Sequence, residues 1–143
     1  MFKVSSVIGS AAKQEAVEIM DRIYREDPKH WPQGLDPDGF DGGLFLIREK
    51  QAGTPVGFCG WQERNEIAGS NCVKIGYYSI GVLPEYRRNG YAKQALNRLI
   101  SAKSAGVDQV RAMIVDSNGP SRELAKDLGV ATSILKRASF LLR

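Results

Sequence analysis

Apolar side chains recur along this chain with two different spacings, and each spacing predicts its own kind of element. Helical spacing marks Ala11–Tyr24, where Ser10 is placed to act as the N-cap. Runs of apolar and aromatic residues typical of strands follow at Leu44–Arg48, Val56–Trp61 and Val73–Val82. Short turn sequences separate these runs, so they predict three consecutive antiparallel strands, with a further short strand beginning at Phe2.

The second half of the chain alternates between helical and strand patterns. A helical period from Ala92 ends near Gly106, a strand-like run covers Val110–Val115, and helical spacing returns over Ser121–Gly129. Strand, helix and strand in this order favour a crossover between parallel neighbours. We therefore expect Val73–Val82 and Val110–Val115 to lie side by side. Residues 130–143 fit either a strand or a helix.

A long segment rich in proline and glycine separates the first helix from the three strands. It runs from Asp27 to Gly43 and is incompatible with a regular element. Long ordered loops often carry function. This one contains His30, Trp31 and Phe40, which either line a substrate cleft or pin a surface crossover.

Composition limits the class of protein. The chain has 143 residues, of which 43% are hydrophobic, so we expect one domain over residues 1–143. The formal net charge of +4 favours anionic ligands, but the basic residues are scattered, and nucleic acid is not an expected partner. No run is apolar enough for a membrane span or a secretion signal, which predicts a cytoplasmic protein without a membrane partner.

The two cysteines, Cys59 and Cys72, lie in strand-like surroundings without the spacing of a zinc motif. His30 is the single histidine of the chain, so we expect no metal site. In a reducing compartment, two buried or half-buried free thiols are favoured over a disulfide.

The strongest chemical signal lies between the strand that ends at Val82 and the helix that begins near Ala92. This segment is basic and contains a glycine, Gly90. Backbone N–H groups of such a turn and of the first helical turn converge on anionic oxygens, and glycine removes the side chain that would keep a ligand away. The segment therefore predicts a pyrophosphate site.

The same segment resembles the acetyl-CoA loop of the GNAT superfamily of N-acetyltransferases, through the motif Arg87-x-x-Gly90-x-Ala92. A second segment is similar to the second signature of that superfamily, through Asn118-x-x-Ser121-x-x-Leu124. The resemblance covers about Leu44 to Gly129 and implies acetyl-CoA as cosubstrate. The implied cofactor contacts are Ile80, Gly81, Val82, Arg87, Arg88, Asn89, Gly90, Tyr91, Ala92, Asn118 and Ser121.

The resemblance also implies the fold. This is an α/β fold of the α+β type, with a mixed, mostly antiparallel twisted sheet and helices on both faces. The two central parallel strands splay apart, which leaves backbone groups near Val82 free for the pantetheine arm. The family usually completes its sheet with two more strands. Since few residues follow Gly129, a second subunit in a homodimer, or residues of a longer protein, would cover Ser133–Leu142.

Direct acetyl transfer needs a base, an oxyanion donor and a proton for the thiolate. The resemblance makes the Val82 amide the oxyanion donor. Many members carry a glutamate on the strand before the loop, but Val73–Val82 contains none. The remaining candidate bases are Glu63, Glu66, Tyr77, Tyr78 and Ser79, and Glu63 acting through water is favoured over Glu66.

The general acid is a second departure from the family pattern. The position of the family's acid tyrosine is Ala125 here, so Ser117 or water would protonate the thiolate, while Tyr91 is interpreted as a packing residue. The leading hypothesis is an acetyl-CoA-dependent transferase acting on a small-molecule or peptide primary amine. The alternative is a CoA-binding or catalytically weak module that serves as a sensor or interaction domain. A third hypothesis, a basic nucleic-acid-binding domain, is supported by the net charge alone.

Overall fold

The computed structural model describes residues 2–31, 34–87, 90–115 and 119–135. Within them, six strands form one sheet whose spatial order is the order along the chain. The strands are β1 (Phe2–Ser6), β2 (Leu44–Glu49), β3 (Pro55–Ala68), β4 (Asn71–Val82), β5 (Gln109–Val115) and β6 (Ala131–Leu135). Neighbours are antiparallel from β1 to β4 and parallel from β4 to β6. The predicted mixed sheet is confirmed.

Helices cover both faces of this sheet, as predicted. They are α1 (Ser10–Glu26), α2 (Tyr91–Lys103) and α3 (Gly119–Asp127). Phe58 packs against the apolar residues of α1 on one face of the sheet. Trp61 and Tyr78 are directly paired and therefore share a face. They pack against α2 on the opposite side. Helices therefore cover both apolar faces of the sheet.

One local prediction needs correction, and one alternative left open by the sequence is resolved. Ser10 is the first helical residue of α1, and Gly9 occupies the N-cap position with φ 89°, so no side chain caps this helix. At the other end of the chain, Ala131–Leu135 is a strand rather than a helix. Most of the predicted dimer segment, Ser133–Leu142, lies outside the described residues, and its pairing with a second subunit stays a prediction.

The pairing between β4 and β5 is short. Within the described strands, it joins Ile75 to Gln109, Gly76 to Val110 and Tyr77 to Arg111. No pair follows along the remaining residues of β4, so the two parallel strands separate over residues 78–82. This is the predicted splay, and it creates a gap at the carboxyl end of β4.

Both cysteines are free thiols, but their surroundings differ. Cys59 is fully buried, and burial raises the pKa of its thiol to about 12. Cys72 is exposed, which corrects the prediction that both would be at least half-buried. No group of three or more metal-ligating side chains occurs among the described residues, and none of their helices is long and apolar enough to cross a membrane.

The difference between the thiols gives a simple prediction. Because the thiolate is the reactive form, a disulfide reagent should label Cys72 rapidly in the native protein and reach Cys59 only after denaturation. Counting released chromophore before and after adding guanidinium checks this, with Cys72→Ser as the control that loses the rapid reaction. Two rapidly reacting thiols in the native protein would contradict the buried position of Cys59.

Candidate active site

A cleft of about 520 Å³ opens at the carboxyl end of β4, where β4 and β5 separate. Five parts of the chain line it. They are the end of α1 with the turn that follows, the last residues of β4, the turn before α2, the first turn of α2, and α3. The predicted acetyl-CoA loop and the Asp27–Gly43 segment, which we call the aromatic loop, therefore meet at one site.

The register of β3 and β4 fixes which backbone groups face the gap. The Leu83 N–H donates to the Val56 carbonyl at 2.9 Å, so Val82 and its partner Gly57 form a non-hydrogen-bonded pair. The Val82 N–H therefore points away from β3 and into the gap, and by alternation the polar groups of Ile80 do too. The backbone polar groups of Gly81 point toward β3. This corrects the prediction that the backbone groups of Ile80, Gly81 and Val82 are all free for a ligand.

Arg87, an implied cofactor contact, makes a hydrogen bond within the protein. Its Nε donates to the Val82 carbonyl at 2.9 Å and ties the turn to the end of β4. That carbonyl is thus engaged within the protein. Of the two backbone polar groups of Val82, the N–H is the one turned to the gap without a strand partner.

Gly90 forms the entry to α2. It adopts a left-handed conformation with φ 77°, and its carbonyl accepts the first helical hydrogen bond, from the Gln94 N–H at 3.1 Å. The N–H groups of the first helical turn have no partner within the helix. Gly90, Tyr91 and Ala92 all line the cleft, and Lys93 adds a positive charge beside them. The first-turn N–H groups of α2 and the charge of Lys93 together suit the binding of a pyrophosphate.

Packing holds the turn before α2 in place. The rings of Tyr86 and Tyr91 lie 6.4 Å apart in a tilted arrangement, as expected of a packing residue at Tyr91. Glu85 accepts a hydrogen bond from Arg22 of α1 at 2.6 Å. A hydrogen bond from its own backbone, and then Arg22, lower the pKa of the Glu85 carboxyl. The turn is thereby linked to the helix on the other face.

The second signature is only partly described. Ser121 and Leu124 line the cleft from α3. Ala125 is fully buried in the core, so no proton donor stands at that position. Arg88, Asn89, Ser117 and Asn118 lie outside the described residues, and their predicted roles stay predictions.

The predicted carboxylate bases lie away from the cleft. Glu63 pairs with Gly76 in the sheet, and Gly76 precedes Val82 by six residues, or about 20 Å of strand. The Glu63 carboxylate accepts a hydrogen bond from the Trp61 indole at 3.0 Å and lies 3.7 Å from the Lys74 ammonium. Glu66, still further along β3, accepts one from the Tyr77 hydroxyl at 2.5 Å. Neither position supports the role of a base.

Tyr78 belongs to the core rather than to the cleft wall. It packs with Trp61, Ala112 and Ala125 beneath α2, and its hydroxyl has no hydrogen-bond partner among the described residues. Burial raises its pKa to about 12. Since the phenol keeps its proton at neutral pH, its predicted part in deprotonating an amine has no support.

The aromatic loop contributes to the site through two of its three predicted residues. His30 and Trp31 line the cleft, whereas Phe40 packs against Phe58 with ring centroids 6.0 Å apart. Sequence reasoning missed that His30 pairs with Asp27, whose carboxylate oxygen lies 2.5 Å from His30 Nδ1. The signal available was the three-residue spacing of an acid and the single histidine across Pro28.

The comparison with solved structures identifies the fold. AAC(6')-Iy, in complex with a CoA-based bisubstrate analog, superposes with a TM-score of 0.69 at 16% identity, covering 96% of this chain and 97% of that one. An acetyltransferase from Trypanosoma brucei gives 0.66 at 15%, covering 96% and 97%. NAA60 from Arabidopsis thaliana in complex with acetyl-CoA gives 0.63 at 15%, covering 90% and 86%.

No curated protein sequence matches the chain. A family model does. The model of the acetyltransferase (GNAT) family matches residues 13–130. The chain therefore belongs to the acetyltransferase (GNAT) family, as its two motifs suggested.

Proposed function

We propose that this protein transfers the acetyl group of acetyl-CoA directly to a primary amine of a small molecule or peptide. The observation that carries the proposal is the cleft that joins the start of α2, which begins after Gly90, to the Val82 N–H, which has no strand partner among the described residues. One end of this cleft suits a pyrophosphate, and the other presents a donor to a reacting carbonyl. Family membership supports the same reaction.

The residues fit acetyl-CoA at three points. The first-turn N–H groups of α2 would accept the pyrophosphate, and Gly90 would allow its close approach. The polar groups of Ile80 that face the gap would pair with the pantetheine amides as an added strand would. Bound there, acetyl-CoA supplies an activated acetyl group next to the Val82 N–H, which would stabilise negative charge on the carbonyl oxygen.

The acceptor in this proposal is a primary amine. Similar structures include a glucosamine-6-phosphate N-acetyltransferase from Arabidopsis thaliana and an enzyme bound to an analog of acetylneamine. Carboxylates of α3, Glu123 and Asp127, line the cleft and would attract a cationic acceptor. The proton for the departing thiolate would come from water or from Ser117.

The buried position of Ala125 favours one alternative. Without a proton donor there, the domain would bind CoA and turn over slowly, as a sensor or interaction module. Thermal melting with and without acetyl-CoA, followed by thiol release against a panel of amines, separates the two functions. We expect a higher melting temperature and amine-dependent thiol release. A higher melting temperature without thiol release would favour the binding module, and no change in melting temperature would contradict both.

A further inference from the structure

The turn after α1 carries a histidine–aspartate pair on the wall of the cleft. Asp27 and His30 both line it, and their side chains are 22% and 16% exposed. The 2.5 Å separation of Asp27 Oδ2 and His30 Nδ1 makes Nδ1–H the donor to the carboxylate. In the neutral imidazole, Nε2 then carries the lone pair and is an acceptor.

Within the described part of the chain, that acceptor has no donor. His30 Nε2 is buried, with under 1 Å² of exposed surface, and has no hydrogen-bond partner among the described residues. Buried polar atoms are almost always paired, and an unpaired one is energetically costly. An N–H group entering the wall of the cleft would relieve that cost.

The pair also lies near the reacting end of β4. Ile23 of α1 packs against Gly81, where a Cβ atom would stand 3.2 Å from Ile23 Cγ2. Asp27 follows Ile23 by four residues, which is about one helical turn, or roughly 5.4 Å. The absence of a side chain at Gly81 thus lets α1 bring the pair close to the gap into which the Val82 N–H points.

We propose that His30 is the general base that takes a proton from the acceptor amine, and that Asp27 is a positioning residue that fixes the tautomer of its ring. The proposal rests on the proposed function. His30 Nε2 accepts one proton of the ammonium group once that group has entered the cleft wall beside it, and the proton leaves to solvent when the products depart. The amine nitrogen then bonds to the acetyl carbon, the carbon–sulfur bond breaks with its electron pair on sulfur, and the second proton leaving the nitrogen ends on the thiol.

Other charged groups share the cleft and bear on its pH dependence. They are the carboxylates of Asp27, Glu123 and Asp127, the cations of Arg87 and Lys93, and the phenols of Tyr86 and Tyr91. The pH test must therefore compare variants of the pair with the parent protein rather than assign a limb of the profile from its midpoint alone.

Steady-state kinetics on the full chain test the proposal. We expect His30→Gln to lower kcat by about 100-fold or more, the range typical of a lost general base, and to change the shape of the pH profile. The KM for acetyl-CoA should stay near parental, because the pair lies outside the turn of α2. Asp27→Asn should lower kcat while keeping the fold. Lys29→Gln, which removes an exposed charge from the same turn, is the matched control.

A second readout does not depend on turnover. Since His30 is the single histidine, its ring nitrogen resonances are unambiguous. In the neutral ring we expect the Nδ1–H tautomer in the parent and its loss in Asp27→Asn. An Nε2–H tautomer in the parent would overturn the proposal.

The kinetic outcomes separate this proposal from the proposed function. A parental rate and pH profile in His30→Gln, in a parent that releases thiol, would overturn the base alone. A rate loss in Glu63→Gln with none in His30→Gln would do the same. A parent that binds acetyl-CoA but releases no thiol with any amine would overturn both.

Discussion

Gly90→Val is expected to lower the affinity for acetyl-CoA by at least about 100-fold. The φ of 77° at Gly90 is strained for a β-branched residue by about 1–3 kcal/mol. The added side chain would also hold the pyrophosphate away from the α2 amides, where charge-assisted hydrogen bonds are worth about 1.5–3 kcal/mol. The strain lowers the stability of the fold, whereas the loss of two such hydrogen bonds amounts to two or more decades of affinity. Titration calorimetry with acetyl-CoA measures the change.

Gly69→Val is the matched control for that experiment. Gly69 has a φ of 65° in the exposed turn between β3 and β4, with no atom within 4 Å of a Cβ built there. Both variants should lose a similar amount of stability, but only Gly90→Val should lose binding. Parental affinity in a folded Gly90→Val protein would remove the predicted pyrophosphate site.

The second large effect concerns the core. Gly76→Ala should lower the free energy of unfolding by about 1–3 kcal/mol, the usual cost of overpacking. A Cβ at Gly76 would overlap the benzo ring of Trp61, which is fully buried and cannot move aside. Urea unfolding measures the loss. Gly106→Ala, at an exposed glycine with no atom near the added Cβ, is the control and should leave stability near parental.

A double-mutant cycle makes this result specific to the contact. Trp61→Phe removes the part of the ring that the alanine would meet, so Gly76→Ala should cost less in that background. Equal costs in both backgrounds would mean that the Trp61 ring does not fill the space above Gly76.

The fold could be predicted because its elements follow local periodicity. Leu96 and Leu99 of α2 follow a helical period, and Val73–Val82 is a run of apolar and aromatic residues, so both elements can be recognised from the sequence. The parallel pairing of β4 and β5 followed from the crossover alone. The N-cap of α1 was predicted wrongly because Ser10 and Gly9 both suit that position, and Gly9 occupies it in the structure.

The site was less predictable because it depends on side-chain directions in three dimensions. The hydrogen bond from Arg87 to the Val82 carbonyl depends on the path of the turn, whereas the motif implied that Arg87 contacts the cofactor. Tyr78 has a suitable functional group, but its place beneath α2 is set by sheet register. The pairing of Asp27 with His30 needs the helical turn that starts at Pro28.

An amide titration by nuclear magnetic resonance tests the central claim most directly. With increasing acetyl-CoA, the account predicts that the N–H signals of Val82 and of Gly90–Lys93 shift together with one dissociation constant, while that of Gly69 stays unchanged. Shifts confined to other parts of the chain, or none at saturating acetyl-CoA, would contradict binding at the start of α2 and the gap beside β4.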